Sequence, residues 1–250
     1  MAYFIEKRYD TPGKKTIKIS DNLRKISIVG DMADNPIQNQ AVSVRFGDKV
    51  EEVGKKCLVN SLSVTDVFFG KNTQIVDASA FMGCKNLTGC DAFGTSPQTF
   101  LKIEDHAFAG TGLKNITLDL SGTVYDTGIE AYAFADCKNL KSVTMTRSSF
   151  LAEHAFDGCE SLTDVKLPNK TSYVYNGVFA NCTSLRSITF PSQIWSMGSE
   201  MFKGCTSLSN VTIEDSADNR SIMDYLGSSV FDGCENLKSI TLPASISSFT

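Results

Sequence analysis

Six of the eight cysteines in this sequence share one spacing. Cys84, Cys137, Cys159, Cys182, Cys205 and Cys234 each stand three residues after a phenylalanine. A repeated thiol can ligate metal, form disulfides, or serve as a small buried group. Metal sites want convergent ligands such as a Cys-x-x-Cys pair, and the sequence has none. Thiols stacked one above another would have parallel Cβ vectors, a strained arrangement for a disulfide. Cysteine is small, apolar in behaviour and commonly buried, so the pattern reads best as a column of structural thiols. The two histidines, His106 and His154, both stand two residues before a phenylalanine, in "IEDHAF" and "LAEHAF". They could act as general bases. Yet their neighbours Glu104, Asp105 and Glu153 suit a solvated turn, and no nucleophile, base and orienting group converge on them. Phosphate-loop and His-Glu-x-x-His patterns are absent as well. The sequence therefore predicts no enzyme, no cofactor and no metal site.

The elements that position these residues form a repeat. Anchored on Phe81, Phe108, Phe134, Phe156, Phe179, Phe202 and Phe231, the steps are 27, 26, 22, 23, 23 and 29 residues. A leucine follows six residues after the anchor at Leu87, Leu140, Leu162, Leu185, Leu208 and Leu237. The Phe108 copy is one residue short, with Leu113 as its leucine and Thr111 in the cysteine slot. Beyond each leucine, apolar residues recur at +3 and +5, as in Val143/Met145 and Ile188/Phe190. Another apolar residue stands five before each anchor: Val76, Ile103, Ile129, Leu151, Val174, Met197 and Leu226. Cys90 takes an apolar strand slot and Cys57 the alanine slot, so both should be core. Leu58 extends the frame upstream, with Val53, Ser61 and Val64 in the matching slots. "IKISDNLRKISI" extends it more loosely, with Ile17 as anchor and Ser20, Leu23, Ile26 and Ile28 following. An irregular turn around "GDMADNPIQNQ" would fill the interval from Ile17 to Leu58.

A 20–29-residue period with a Leu-x-x-Leu-x-Leu core is the mark of a leucine-rich-repeat solenoid. Long 3.6-residue periodicity, which helical repeats require, is absent. The expected fold has short parallel β-strands on one face, with β, turn and short helical turns on the other, over about nine turns. A single turn buries too few apolar side chains to offset the ordering of its own residues, so stacking is obligatory. Residues 1–16 read as an N-terminal capping strand or hairpin, because "AYFIEKRY" alternates. Residues 17–250 read as the solenoid. "PASISSFT" places Ile246 and Phe249 in repeat slots, so the sequence predicts a truncated array that continues into further repeats or pairs with another chain.

The phrase "AFDGCESLTDVKLP" (Ala155 to Pro168) resembles the repeat of the BspA-like leucine-rich-repeat family, and "FPSQIWSMGSEMF" resembles its second half. Proline occupies the family's proline slot only at Pro168, Pro191 and Pro243. The resemblance implies a curved solenoid in a surface or secreted protein that binds a protein or cell-surface ligand without catalysis. Two alternatives stand beside it: a structural spacer in a larger surface protein, and an intracellular recognition protein. No signal peptide opens the sequence, which leaves a cytoplasmic location open.

Composition narrows the partner. The chain has 250 residues, 42% apolar, with a net charge of -4. Mild acidity argues against nucleic acid, which needs clustered Lys and Arg. No apolar run approaches the ~20 residues that span a bilayer. The outward positions of the strand segments are the candidate contact surface. Lys114, Lys141, Arg186 and Lys238 share one position, and Lys166, Thr144, Thr189 and Thr212 share another. Such a face fits a plain solvated sheet or a true partner surface. The insertions Phe93 to Lys102, Asp119 to Tyr132 and Glu214 to Leu226 are a second candidate, since departures from a regular scaffold often carry recognition. Trp195, with Tyr173 and Tyr175 nearby, is a third, weighed against partial burial on the reverse side. Asn-x-Ser/Thr sequons at Asn86, Asn115, Asn181, Asn210 and Asn219 are expected by chance in so Asn/Ser/Thr-rich a repeat.

Overall fold

A computed structural model describes residues 5–11, 14–19, 25–26, 42–93, 99–100, 102–120, 128–147, 150–215 and 225–243. The chain is a parallel β-solenoid of about seven turns, slightly fewer than nine. Leu23, Ile28 and the segment 30–40 lie outside the described residues, as do Ile246, Phe249 and Asn219.

Each turn contributes one strand to a front face. At the N-terminal end, β1 (Ile5–Thr11) and β2 (Lys14–Ile19) pair antiparallel. β2 then pairs in parallel with β4 (Val42–Arg45), which continues through β6 (Val64–Phe68) to β8 (Gly89–Cys90). A second front sheet runs β9 (Thr99–Phe100), β11 (Asn115–Leu120), β12 (Ser142–Arg147), β14 (Asp164–Lys166). A third runs β16 (Ser187–Phe190), β18 (Asn210–Ile213), β20 (Ser239–Thr241). The front ladder is thus parted twice.

The reverse ladder is continuous. It runs β3 (Lys25–Ile26), β5 (Glu52–Val53), β7 (Ile75–Val76), β10 (Lys102–Ile103), then across bridges from Ile103 to Ile129 and from Ile129 to Leu151. From there β13 (Phe150–Leu151), β15 (Tyr173–Val174), β17 (Ser196–Met197) and β19 (Tyr225–Leu226) complete it. The apolar residue five before each anchor is the inward member of these two-residue strands. Among the described residues the reverse side is strand and turn. The helical element described is a 3-10 turn, Asp91–Phe93, which follows β8.

The upstream frame needs correction. Ile17 does not occupy an anchor slot: it sits in β2 opposite Val44, which in turn faces Val67. Ile26 sits in the reverse ladder opposite Val53. The chain therefore advances one turn from Ile17 to Val44, not two from Ile17 to Leu58. Alternating Ile-Lys-Ile fits a strand as well as it fits the wider repeat slots, and strand pairing decides between them.

A column of phenylalanines fills the interior. Phe81, Phe108, Phe134, Phe156, Phe179 and Phe202 are fully buried. Their rings stack nearly parallel, 5.0 Å apart from Phe81 to Phe108 and 5.4 Å from Phe134 to Phe156. Beside them runs a thiol column. Each Sγ–H donates to the anchor carbonyl of the preceding turn: Cys159 to Phe134 at 3.3 Å, Cys182 to Phe156 at 3.3 Å, Cys205 to Phe179 at 3.0 Å. Thr111, in the cysteine slot, meets Cys137 Sγ at 3.2 Å. Burial pushes the Cys137 thiol up to about 11 and that of Cys205 up to about 12, because an ionised thiol would lose its hydration. Cys57 is buried in the alanine slot, and Cys90 is half-buried against the core.

The turns around the anchors form a third hydrogen-bonded side. The amides of His154, Phe156 and Gly158 donate to the carbonyls of Asn176, Val178 and Ala180 in the next turn, at 2.9 Å each. Residues two before and two after the anchor take positive φ, as at His154 (φ 55) and Gly158 (φ 71).

Candidate partner-binding face

The inward alternation of the front strands fixes their outward side. In the second front sheet, Thr117 faces Thr144 and Thr144 faces Lys166. In the third, Thr189 faces Thr212 and Thr212 faces Thr241. A basic column is set by backbone bonds at the strand starts: Lys141 N–H donates to Lys114 O at 2.7 Å, and Lys238 N–H donates to Ser209 O at 3.0 Å. Lys114, Lys141, Lys166, Arg186 and Lys238 are all exposed. Ser142 Oγ–H donates to Asn115 Oδ1 at 2.8 Å, tying neighbouring rungs on the same face. Two of the sequon asparagines likewise tie rung to rung: Asn86 donates to Leu62 O at 2.7 Å and Asn181 to Asp157 at 2.9 Å.

The face falls into two patches. Lys114, Lys141, Thr144 and Lys166 flank or occupy one sheet, and Arg186, Thr189, Thr212 and Lys238 flank or occupy the next. Between them β14 and β16 are not paired as strands. A cleft of about 320 Å³ opens there, lined by Thr163, Lys166, Asn169, Ser187, Thr189 and Glu214. Its floor shows in burial: Val165 is only half-buried, whereas its counterparts Val143 and Ile188 are 0% and 3% exposed. β14 stops at three residues, and Pro168 just beyond it has no N–H to extend a ladder. The cleft presents hydroxyls, an amide and charges of both signs, a surface suited to polar groups of a partner. No sequence signal marks it, because the repeat slots on both sides are filled normally.

Trp195 lies apart from this face. It precedes β17 on the reverse side and is 46% exposed, with its ring 5.9 Å from that of Tyr173. The insertions are partly structural. Phe93 is buried and packs edge-on against Phe108 at 5.0 Å, and β9 pairs with Asp119 and Leu120 of β11. Residues 94–98, 101, 121–127 and 216–224 lie outside the described residues.

The two histidines join one stack on the anchor side. His106, Tyr132 and His154 stack as three rungs, with successive ring centroids 4.8 Å apart. Nδ1 of His106 pairs with Asp105 at 2.9 Å and Nδ1 of His154 with Asp157 at 3.0 Å. Among the described residues no group of His, Cys, Asp and Glu is arranged to hold a metal ion, and no helix is long and apolar enough to cross a membrane.

Comparison with known proteins gives the fold its relatives. A family model described as BspA type leucine rich repeat region (6 copies) matches residues 9–128, 101–224 and 127–250. A leucine-rich repeat protein of T. pallidum is 20% identical, over 95% of this chain and 89% of its own, with a TM-score of 0.54. A leucine-rich repeat protein from Bacteroides ovatus is 22% identical over 90% of this chain and 78% of its own, with a TM-score of 0.42. A leucine rich cell surface protein from Faecalibacterium prausnitzii is 19% identical over 96% and 94%, also at 0.42. No curated protein matches the chain.

Proposed function

This chain belongs to the BspA-type leucine-rich-repeat family, and from that premise we infer that it is a non-enzymatic protein-binding module of a surface or secreted protein. The cleft between β14 and β16 carries this reading. A solvated sheet with no partner gains nothing by parting in mid-face, whereas a binding surface gains a concave, polar seat with basic residues on its rims. Extended solenoid faces are the usual contact surfaces of repeat proteins. Lys166 and Thr189 line the cleft, Arg186 directly precedes β16 at its edge, and Lys141, Thr144 and Thr212 lie on the neighbouring rungs of the same face. The partner is a protein or cell-surface ligand with acidic and hydroxyl groups.

The test is retention of immobilised extracellular-matrix and host-cell surface proteins, at low and moderate salt. Wild type and Lys141→Glu/Arg186→Glu are compared after both are shown to fold alike. A partner held by wild type and lost by the double variant supports the reading. Equal retention by both, or retention of nothing, would favour a structural spacer.

A further inference from the structure

The outward side of the reverse ladder changes character along the coil. Its earlier rungs carry Glu52, Ile75 and Lys102, and Lys102 Nζ sits 3.1 Å from Glu104 and 3.4 Å from Glu130. From β13 onward it is aromatic. Phe150, Tyr173, Ser196 and Tyr225 form a single outward column. Trp195 and Tyr175 flank it, with Trp195 5.9 Å from Tyr173 and Tyr175 6.4 Å edge-on from Phe150. Tyr175, Trp195 and Tyr225 are 49%, 46% and 56% exposed. These three residues stand about half exposed on a sheet whose inward side is already closed by Leu151, Val174 and Met197. These rings are not needed for the core.

We propose that this aromatic column is a binding platform for a neutral β-1,4-linked polysaccharide. Three observations select that ligand. The platform carries no charge in its outward column, whereas Glu52 and Lys102 stand in the rungs before it, so neither a polyanion nor nucleic acid finds the Lys and Arg it requires. Past Phe150 and Tyr173, which share adjacent rungs, the next ring of the column is Tyr225, two rungs from Tyr173 across the small Ser196, roughly 10 Å, with Trp195 packed beside Tyr173. A β-1,4 chain presents the same face of its sugars once per disaccharide, a step of that length, and sugar C–H faces stack on aromatic rings. Polar groups rim the rings to meet hydroxyls. Asn176 accepts from Ser199 N–H at 2.9 Å and donates to Glu153 at 3.1 Å, and the hydroxyls of Ser199 and Ser228 lie 3.3 Å apart. Backbone bonds hold the rungs rigid, with Trp195 N–H donating to Ser172 O at 2.7 Å and Tyr175 N–H to Leu151 O at 3.0 Å. A ligand meets a surface already in shape, which lowers the cost of binding.

Trp195 is the single tryptophan of the chain, so its fluorescence reports on this surface alone. Cellohexaose and chitohexaose are titrated into the intact protein, and retention on swollen cellulose and on chitin is measured in parallel. The expected result is a blue shift of Trp195 emission with at least one hexaose and retention on the matching polymer. Trp195→Ala/Tyr225→Ala should cut that retention at least tenfold. Both residues are exposed, and the variant's circular dichroism checks that it folds. Lys141→Glu/Arg186→Glu should leave glycan retention unchanged, which keeps this test separate from that of the front face. No shift and no retention with either glycan would overturn the proposal. So would retention that survives loss of Trp195 and Tyr225, or substitutions there that abolish capture of a protein instead.

Discussion

The thiol of Cys182 donates to the carbonyl oxygen of Phe156, one turn earlier in the coil, at 3.3 Å. Cysteine thus does two jobs in its slot: it fills a small buried volume and it satisfies an inter-turn acceptor beside the anchor ring. Cys182→Ala should lower stability by about 1–3 kcal/mol, combining a small cavity with an unpaired buried carbonyl. Urea denaturation of the variant beside wild type measures it, and no change in midpoint would show the bond to be idle.

The same slot holds Ser61, whose buried hydroxyl has no hydrogen-bond partner among the described residues. An unpaired buried hydroxyl is costly, and a thiol is much cheaper to bury. Ser61→Cys should therefore raise stability, by about 1 kcal/mol. Thermal melting tests the sign, and a lower melting temperature would contradict it.

Burial holds the Cys84 and Cys205 thiols up to about 12 and that of Cys137 up to about 11. An unfolded thiol ionises near pH 9.0. The folded state therefore keeps protons that the unfolded state gives up. Their contribution is fully present below pH 9 and is lost as pH rises from there toward the folded values. The denaturation midpoint should fall between pH 8 and pH 10.5. At pH 8 the core thiols should resist an aromatic disulfide reagent until denaturant is added.

Two glycines should respond differently to alanine. At Gly198 an added Cβ would lie 2.3 Å from the Tyr175 carbonyl carbon, and backbone cannot yield. At Gly177 (φ 60) it would lie 2.3 Å from His154 Cε1, the end of a side chain, which yields by leaving its stack on Tyr132 and its pairing with Asp157. Gly177→Ala should cost about 1–2 kcal/mol of backbone strain, and Gly198→Ala should cost more. Unfolding midpoints of the two variants, measured together, settle the order.

Amide hydrogen exchange should mark the cleft. β12 and β18 are paired on both edges, whereas β14 and β16 each leave one edge unpaired toward the other. Amides within 163–167 and 187–190 should exchange faster than those within 142–147 and 210–213, since local opening follows local bonding. Equal protection would mean that the front ladder is closed in solution.

Much of the fold is legible from spacing alone. Phe156, Cys159, Leu162 and Val165 each occupy a slot with one physical demand, and that demand repeats seven times. Upstream, the signal weakens to Ile17 and Ile26, which satisfy two frames equally well; only strand pairing with Val44 and Val53 separates them. The cleft leaves no trace, because Val165 and Ile188 are equivalent by pattern and differ only in how closely their strands approach. Trp195 shows the same limit. Its place on the reverse side follows from the period, but its exposure beside Tyr173, just ahead of β17, does not.

The parting of the front face has a mechanical meaning. Between the turns anchored by Phe156 and Phe179, the reverse ladder and the anchor-side amides stay bonded while the front strands do not. Two sides of the coil act there as a spine and the third as an open fore-edge. Flexing that spreads Lys166 from Thr189 breaks no strand-to-strand bond, whereas flexing the other way must stretch bonded rungs. The molecule is accordingly stiff in one direction and compliant in the other, with the compliant joint at the seat proposed for the partner.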